Sequence, residues 1–211
     1  LHQQSAAAAL VESWHVRQLA GSRYDQHLLA LGAGLLRSNL QLALEGRDAA
    51  CRLDGLCVAD GERQVDLLTR VEHHAPATKT AQDYRGIASG RGRGALNGRI
   101  VVHPDARGAD ASQSSRNLLL TPLAEINARP QLEIHVDDVQ CRHGATIGTL
   151  DEAQLFYLVS RGLDPAAARA LLTYAFCQDL VRRIPLEPVR DTAQGLLAAA
   201  LPDRELIGGI A

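Results

Sequence analysis

Residues 116–150 read RNLLLTPLAEINARPQLEIHVDDVQCRHGATIGTL, and this stretch decides how the chain folds. Leu132, Ile134 and Val136 alternate with Glu133, His135 and Asp137. Successive side chains of an extended chain point to opposite faces. The alternation therefore predicts a strand over 131–136 with one buried and one polar face. Asp137-Asp138 interrupts it, and a second short strand follows over 139–143. Val139, Cys141 and His143 share one face of that second strand. Residues two apart in a strand lie roughly 6.5–7 Å apart at Cα, close enough for a thiol and an imidazole to reach one metal ion. Two ligands do not complete a tetrahedral site, so the others have to come from elsewhere, a second chain included.

Upstream, short strand-like runs recur over 26–31, 35–44, 50–58, 64–71 and 99–103. Turn residues punctuate them at Gly21, Gly32-Ala33-Gly34, Glu45-Gly46, Asp60-Gly61, Gly90 and Gly98. This spacing suits a sandwich, a barrel or a β-solenoid. Two features tilt toward the solenoid. Aromatic residues are only 3% of the chain, whereas sandwiches and barrels rely on large core aromatics. Small residues also recur inside the strand-like runs, as a narrow stacked coil requires. An uncovered first coil predicts fraying over residues 1–20.

After Gly148 the pattern turns helical. Asp151 caps a run through Arg161 that carries Leu155, Phe156, Leu158 and Val159, with Gly162 as its stop. The helices, this run included, are expected to pack against the last coils. Asp164-Pro165 opens a second helix to about Arg183, with Leu171, Leu172, Ala175, Phe176 and Leu180 as its apolar stripe. Pro185 ends it. A last helix is expected over 187–200, before a flexible Gly208-Gly209 tail. The expected organisation is mainly β over 1–149, followed by a small helical region over 150–211.

Net charge is −2, so no global basic field favours nucleic acid or an anionic membrane. No apolar run reaches the length of a membrane span. The chain starts at Leu1 and holds no methionine, so it reads as a piece of a longer or processed protein. Cys51, Cys57, Cys141 and Cys177 match no zinc-finger or CxxC spacing, and a reducing cytoplasm with free thiols is the default. Cys177 lies in a helical pattern and reads as a small core hydrophobe.

The strings SRNLLL (115–120), AEINARPQLEIHVDDVQCRHGAT (124–146) and DEAQLFYLVSRGL (151–163) resemble the SufB/SufD family of iron–sulfur cluster assembly proteins. The resemblance is to the C-terminal half of its members. It runs over about 5–201 and is most specific over 97–163. The SufB branch carries a cysteine before the double leucine and a glutamate in the His-rich turn. Here Arg116-Asn117 and Cys141-Arg142-His143 stand in those places, so the chain resembles the SufD branch. The resemblance implies a right-handed parallel β-helix with C-terminal helices. It implies a non-catalytic scaffold of a SufBCD complex, paired with a SufB-like subunit through the β-helix. It also implies an ATPase, SufC, docked on the helices, and the segment 182–189, a rigid bend with two prolines and exposed apolar groups, offers Ile184, Leu186, Glu187 and Val189 for that contact. His143, with Cys141 beside it, matches an interfacial iron or cluster site shared with SufB. The isolated chain would then hold no cofactor stably and would homodimerise in place of SufB.

Other signals favour plainer readings. Glu133, His135 and Asp137 read as a solvated or inter-subunit face, and His73-His74 as an exposed pair in a turn. Gly90-Arg91-Gly92-Arg93-Gly94 is too short for an arginine–glycine RNA-binding array and reads as a tight turn. Gly32-Ala33-Gly34 lacks the third glycine of a dinucleotide fingerprint, and no phosphate loop or Gly-x-Ser-x-Gly elbow appears. ATP would therefore bind another subunit. The competing functions are a β-helical polysaccharide-active enzyme, weakened by the single tryptophan Trp14, and a metal-free homodimeric structural module.

Overall fold

The computed structural model of the chain describes residues 1–202 and 204–207. Ten strands come first: β1 (Ala9–Gln18), β2 (Arg23–Ala30), β3 (Leu35–Leu44), β4 (Ala50–Ala59), β5 (Gln64–His73), β6 (Lys79–Ala88), β7 (Arg93–Val102), β8 (Ala109–Leu119), β9 (Glu125–Ile134) and β10 (Val139–Gly148). Helices α1 (Glu152–Ser160), α2 (Pro165–Val181), α3 (Glu187–Ala200) and the short α4 (Arg204–Ile207) follow. The odd strands form one sheet in the order β1-β3-β5-β7-β9, and the even strands form a second in the order β10-β8-β6-β4-β2. All pairings are parallel, and each joins strands two apart in the sequence. The chain therefore crosses between sheets at every corner and climbs one strand per circuit. The result is a β-solenoid of about five turns, as the small residues and scarce aromatics predict.

Strand β3 coincides with the run expected over 35–44, and β4 extends the next run by one residue. Three strands have no counterpart in the sequence reading: β1, β6 and β8. For β6 and β8 the inward residues explain the omission. The buried side of β6 carries Thr80 and Gln82, and that of β8 carries Gln113, Ser115 and Asn117, so neither shows an apolar alternation. Near the last coil, Leu132 and Val136 pack on the main core as expected, but Ile134 is 43% exposed. It ends the edge strand β9, where no further coil covers it.

The interior of the solenoid is a column of alternating side chains. Leu36, Leu40, Leu42 and Leu44 of β3 meet Leu53 and Cys57 of β4 and Val65, Leu67 and Val71 of β5 in one cluster. Small residues give large ones room. A Cβ on Gly55 would lie 2.3 Å from the ring of Tyr84, so the glycine is what admits the buried tyrosine. At one corner the residues with left-handed backbone stack in register: Gly21 (φ 66°), Asp48 (60°), Ala77 (57°) and Gly108 (70°). Each donates its N–H to the corner of the next coil, to the carbonyls of Arg47, Pro76, Arg107 and Asp138. That ladder offsets the strain of about 1–2 kcal/mol that Asp48 and Ala77 each carry.

The helices cover the first coils, not the last. Leu29, Leu31, Leu56, Val58 and Ile87 project outward from the ends of β2, β4 and β6 and meet Tyr174, Cys177, Leu180, Val181, Ile184 and Leu197. Strands buried on both faces read as continuous apolar runs, and GLCVA at 55–59 is one. The later strand β8 instead turns Ser112, Ser114 and Arg116 outward, and only Leu118, with Leu120 beyond it, reaches the helix–sheet cluster. Helix α2 uses Ala170, Thr173, Tyr174, Cys177, Leu180 and Val181 as its buried face, so the expected leucine stripe is rotated. Leu171 and Leu172 are only half-buried. Asp151 and Asp164 cap α1 and α2 as expected. However, α1 buries no residue, and Phe156 is 74% exposed, so the packing expected of this helix is absent. The Gly208-Gly209 tail lies outside the described residues.

An ionic clasp adds to the apolar contact. Arg183 donates to Asp83 (2.9 Å) and reaches Asp54 (3.4 Å). Buried Arg85 donates to Asp179 and to the carbonyl of Phe176, with its guanidinium 5.4 Å from the Phe176 ring. Charges removed from water are tolerated only when paired in this way.

Candidate functional site

Strand β10 is the outer strand of its sheet and pairs only with β8. Register places Cys141 beside Ala111 and His143 beside Gln113. Both neighbours are buried, so Cys141 and His143 occupy the inward column of the solenoid, at an end where no further coil closes it. Cys141 is partly buried and packs on the core with Val139, whereas His143 is exposed. Burial, reinforced by the nearby Asp110 carboxylate, raises the Cys141 thiol above its ordinary value. Isolated, this group is a protonated thiol, and a metal would have to displace its proton. Cys141 and His143 belong to no cluster of three or more close metal-ligating side chains among the described residues. They lie along an unpaired strand edge that also exposes Ile147.

The proposed docking segment between α2 and α3 divides. Leu186 is 64% and Val189 51% exposed, and Glu187 also faces solvent. Ile184 is 5% exposed and belongs to the helix–sheet core, so it is not a free contact as the sequence suggested. The other three cysteines are buried. Burial pushes Cys51 up to about 11 and Cys57 up to about 12, and raises Cys177 further still. None of these three is a ligand on the surface. Gly90 takes a left-handed conformation (φ 63°) at the corner before β7, which is the tight turn expected there.

The histidine pair is where the sequence reading fails. His73 is fully buried. Its Nδ1 lies 2.8 Å from the Thr78 hydroxyl and its Nε2 2.9 Å from that of Thr80. Burial drops its pKa to about 4, so it is a neutral core residue. His74, one residue on, points out of the corner and stacks on His103, with ring centroids 4.1 Å apart. The next coil adds His135, 6.4 Å from His103. Glu72 accepts from both His74 and His103. The residues 72–74, 103 and 135 are too far apart in sequence to be grouped without the coil register.

The family described as "SUF system FeS cluster assembly, SufBD core domain" matches residues 1–176. The chain is 35% identical over 176 residues to the iron–sulfur cluster assembly protein SufD of Escherichia coli, covering 83% of this chain and 42% of that one. It is 33% identical over 195 residues to the chloroplastic protein ABCI7 of Arabidopsis thaliana, covering 92% and 41%. It is also 33% identical over 133 residues to SufD of Bacillus subtilis, covering 63% and 30%. The chain thus spans about two fifths of the length of the first two relatives. On the strength of a match over residues 1–176 and of the solenoid described above, the chain belongs to the SufB/SufD family of SUF-system iron–sulfur cluster assembly proteins.

Proposed function

We propose that this chain is a SufD-like, non-catalytic scaffold of an iron–sulfur cluster assembly complex, joined to a SufB-like subunit through the open end of its solenoid. The observation that carries this reading is the β10 edge. It is ten residues long, unpaired on one side, and bears Cys141 and His143 in the column where a next coil would sit. An exposed edge of that length is a template for another strand. In this reading a SufB-like strand completes the sheet and supplies the remaining ligands for iron or a cluster. A second copy of the chain takes its place when SufB is absent. Leu186, Glu187 and Val189 form the contact for a SufC-like ATPase, where exposed apolar groups beside a charge suit an interface anchor. The four free cysteines fit a reducing compartment such as the cytoplasm. Among the described residues no helix is long and apolar enough to cross a membrane.

The test is co-expression with SufB-like and SufC-like subunits. Ile147→Lys puts a charge on the open edge and is expected to cut co-purified SufB at least tenfold. His143→Ala is expected to leave the complex assembled while lowering cluster yield, and Leu186→Asp to weaken SufC binding alone. Full cluster yield from the His143→Ala complex would reduce this chain to an architectural role. Undiminished SufB recovery with Ile147→Lys would remove β10 from the interface.

A further inference from the structure

We infer that Glu72, His74 and His103 form a surface site for a late first-row divalent cation such as Zn²⁺, separate from the β10 edge. The three ligand atoms lie within 4.8 Å of one another. His74 and His103 each approach the same carboxylate oxygen of Glu72 through Nε2, at 3.1 and 3.3 Å. Any two ligand atoms of a tetrahedral zinc site stand about 3.3 Å apart, given metal–ligand bonds of about 2.0–2.1 Å. Both imidazoles therefore already converge on the carboxylate oxygen at close to coordination spacing. A small rotation of each ring about its Cβ–Cγ bond exchanges the contact with Glu72 for a bond to a shared ion.

The surroundings support this reading over a plain polar patch. The Arg70 guanidinium donates to the other Glu72 oxygen and so fixes which oxygen faces the imidazoles. Such a partner behind a ligating carboxylate is the usual way its orientation is held. The His74 and His103 rings are nearly parallel, 14° apart, and the backbone supports this, because residues 73 and 102 are paired in the β5–β7 register. Two imidazoles and one carboxylate suit zinc, nickel, cobalt or copper better than magnesium or calcium, which prefer all-oxygen sites. Water fills the fourth position. His135 is engaged with Glu133 at 2.9 Å and borders the site without joining it. An ion held there clips the corner after β5 to the corner after β7.

The test is titration of the purified protein with Zn²⁺ by calorimetry, after treatment with a chelator, together with the absorption spectrum of the Co²⁺-loaded protein. One Zn²⁺ per chain is expected, with the tetrahedral cobalt spectrum of nitrogen and oxygen ligands and no thiolate-to-cobalt charge-transfer band. His74→Ala, His103→Ala and Glu72→Gln are each expected to weaken binding at least tenfold with an unchanged circular dichroism spectrum. His135→Ala should weaken it less than threefold. Cys141→Ser and His143→Ala should leave the Zn²⁺ affinity within twofold of the starting protein. Zn²⁺ binding unaffected by the first three substitutions, or abolished by Cys141→Ser, overturns the proposal. If a variant at His74 or His103 misfolds, the Glu72→Gln titration decides alone. Because the readout is metal on the isolated chain, its failure leaves the SufB-pairing reading untouched.

Discussion

The two ends of the solenoid are built from different materials. The early coils are filled with leucine, and Leu36, Leu42, Leu44 and Leu53 are all but inaccessible. On the even-strand sheet their outer face is then covered a second time by α2 and α3. The late coils hold Gln82, Gln113, Ser115 and Asn117 in inward positions, and the helix cover thins along them: Arg85 and Ile87 of β6 still meet the helices, β8 joins through Leu118, and no residue of β10 belongs to the helix–sheet cluster. In that part Gln82 Nε2, Gln113 Oε1 and Asn117 Oδ1 find no protein partner among the described residues. Apolar filling supplies stability that is indifferent to neighbours. A polar interior is stable only where its hydrogen bonds are met. The difference teaches that apolar filling is concentrated in the early coils, while the late end leaves the β10 edge open.

The largest expected effect comes from breaking the early end. Leu53→Ala should cost about 2–5 kcal/mol in urea unfolding, through lost burial and the cavity it leaves. Gln113→Leu, at an inward position of the late end, should change stability by less than about 1.5 kcal/mol, since it removes a polar group whose oxygen is already unmatched. Equal costs at the two positions would erase the distinction. Hydrogen exchange should sharpen it next. Amides of β4 and β5 are held in sheets flanked on both sides and should exchange near the global unfolding limit, whereas β10 should exchange far faster. Binding of a SufB-like subunit should slow β10 selectively. The smallest effect is chemical. Of four thiols, the native protein should expose one, Cys141, to Ellman's reagent. Cys51, Cys57 and Cys177 are buried and shifted toward the protonated thiol, and should react only after denaturation. Rapid reaction of a second thiol in the native protein would show that the early core opens more readily than its packing implies.

The solenoid was legible where side chains were apolar on one face and missed where they were not. Leu35–Leu44 alternates without a break and was read to the residue. Lys79–Ala88 and Ala109–Leu119 were missed because their inward positions carry Thr, Gln, Ser and Asn, which look exposed in one dimension. The helices were placed within a residue or two at their starts because Asp151 and Asp164 cap them and Pro165 follows. Which strands they cover depends on outward residues such as Leu56 and Ile87, and the sequence shows no partner for these. Cys141 and His143 could be grouped from sequence because they share one strand face. Glu72, His74 and His103 were not grouped, because only the register of successive coils brings them together.

The docking of the C-terminal helices on the early coils has a consequence for synthesis. Asp54 of β4 is joined to Arg183, and Arg85 of β6 to Asp179, across 129 and 94 residues of chain. A ribosome adding residues one after another makes the leucine-rich coils long before the helices that cover them. At elongation rates of about 5–20 residues per second, Leu29, Leu56 and Ile87 stay uncovered on the nascent chain for something on the order of ten seconds. Through that interval the sturdiest part of the finished protein is its most adhesive, and a chaperone at the tunnel exit would meet it first.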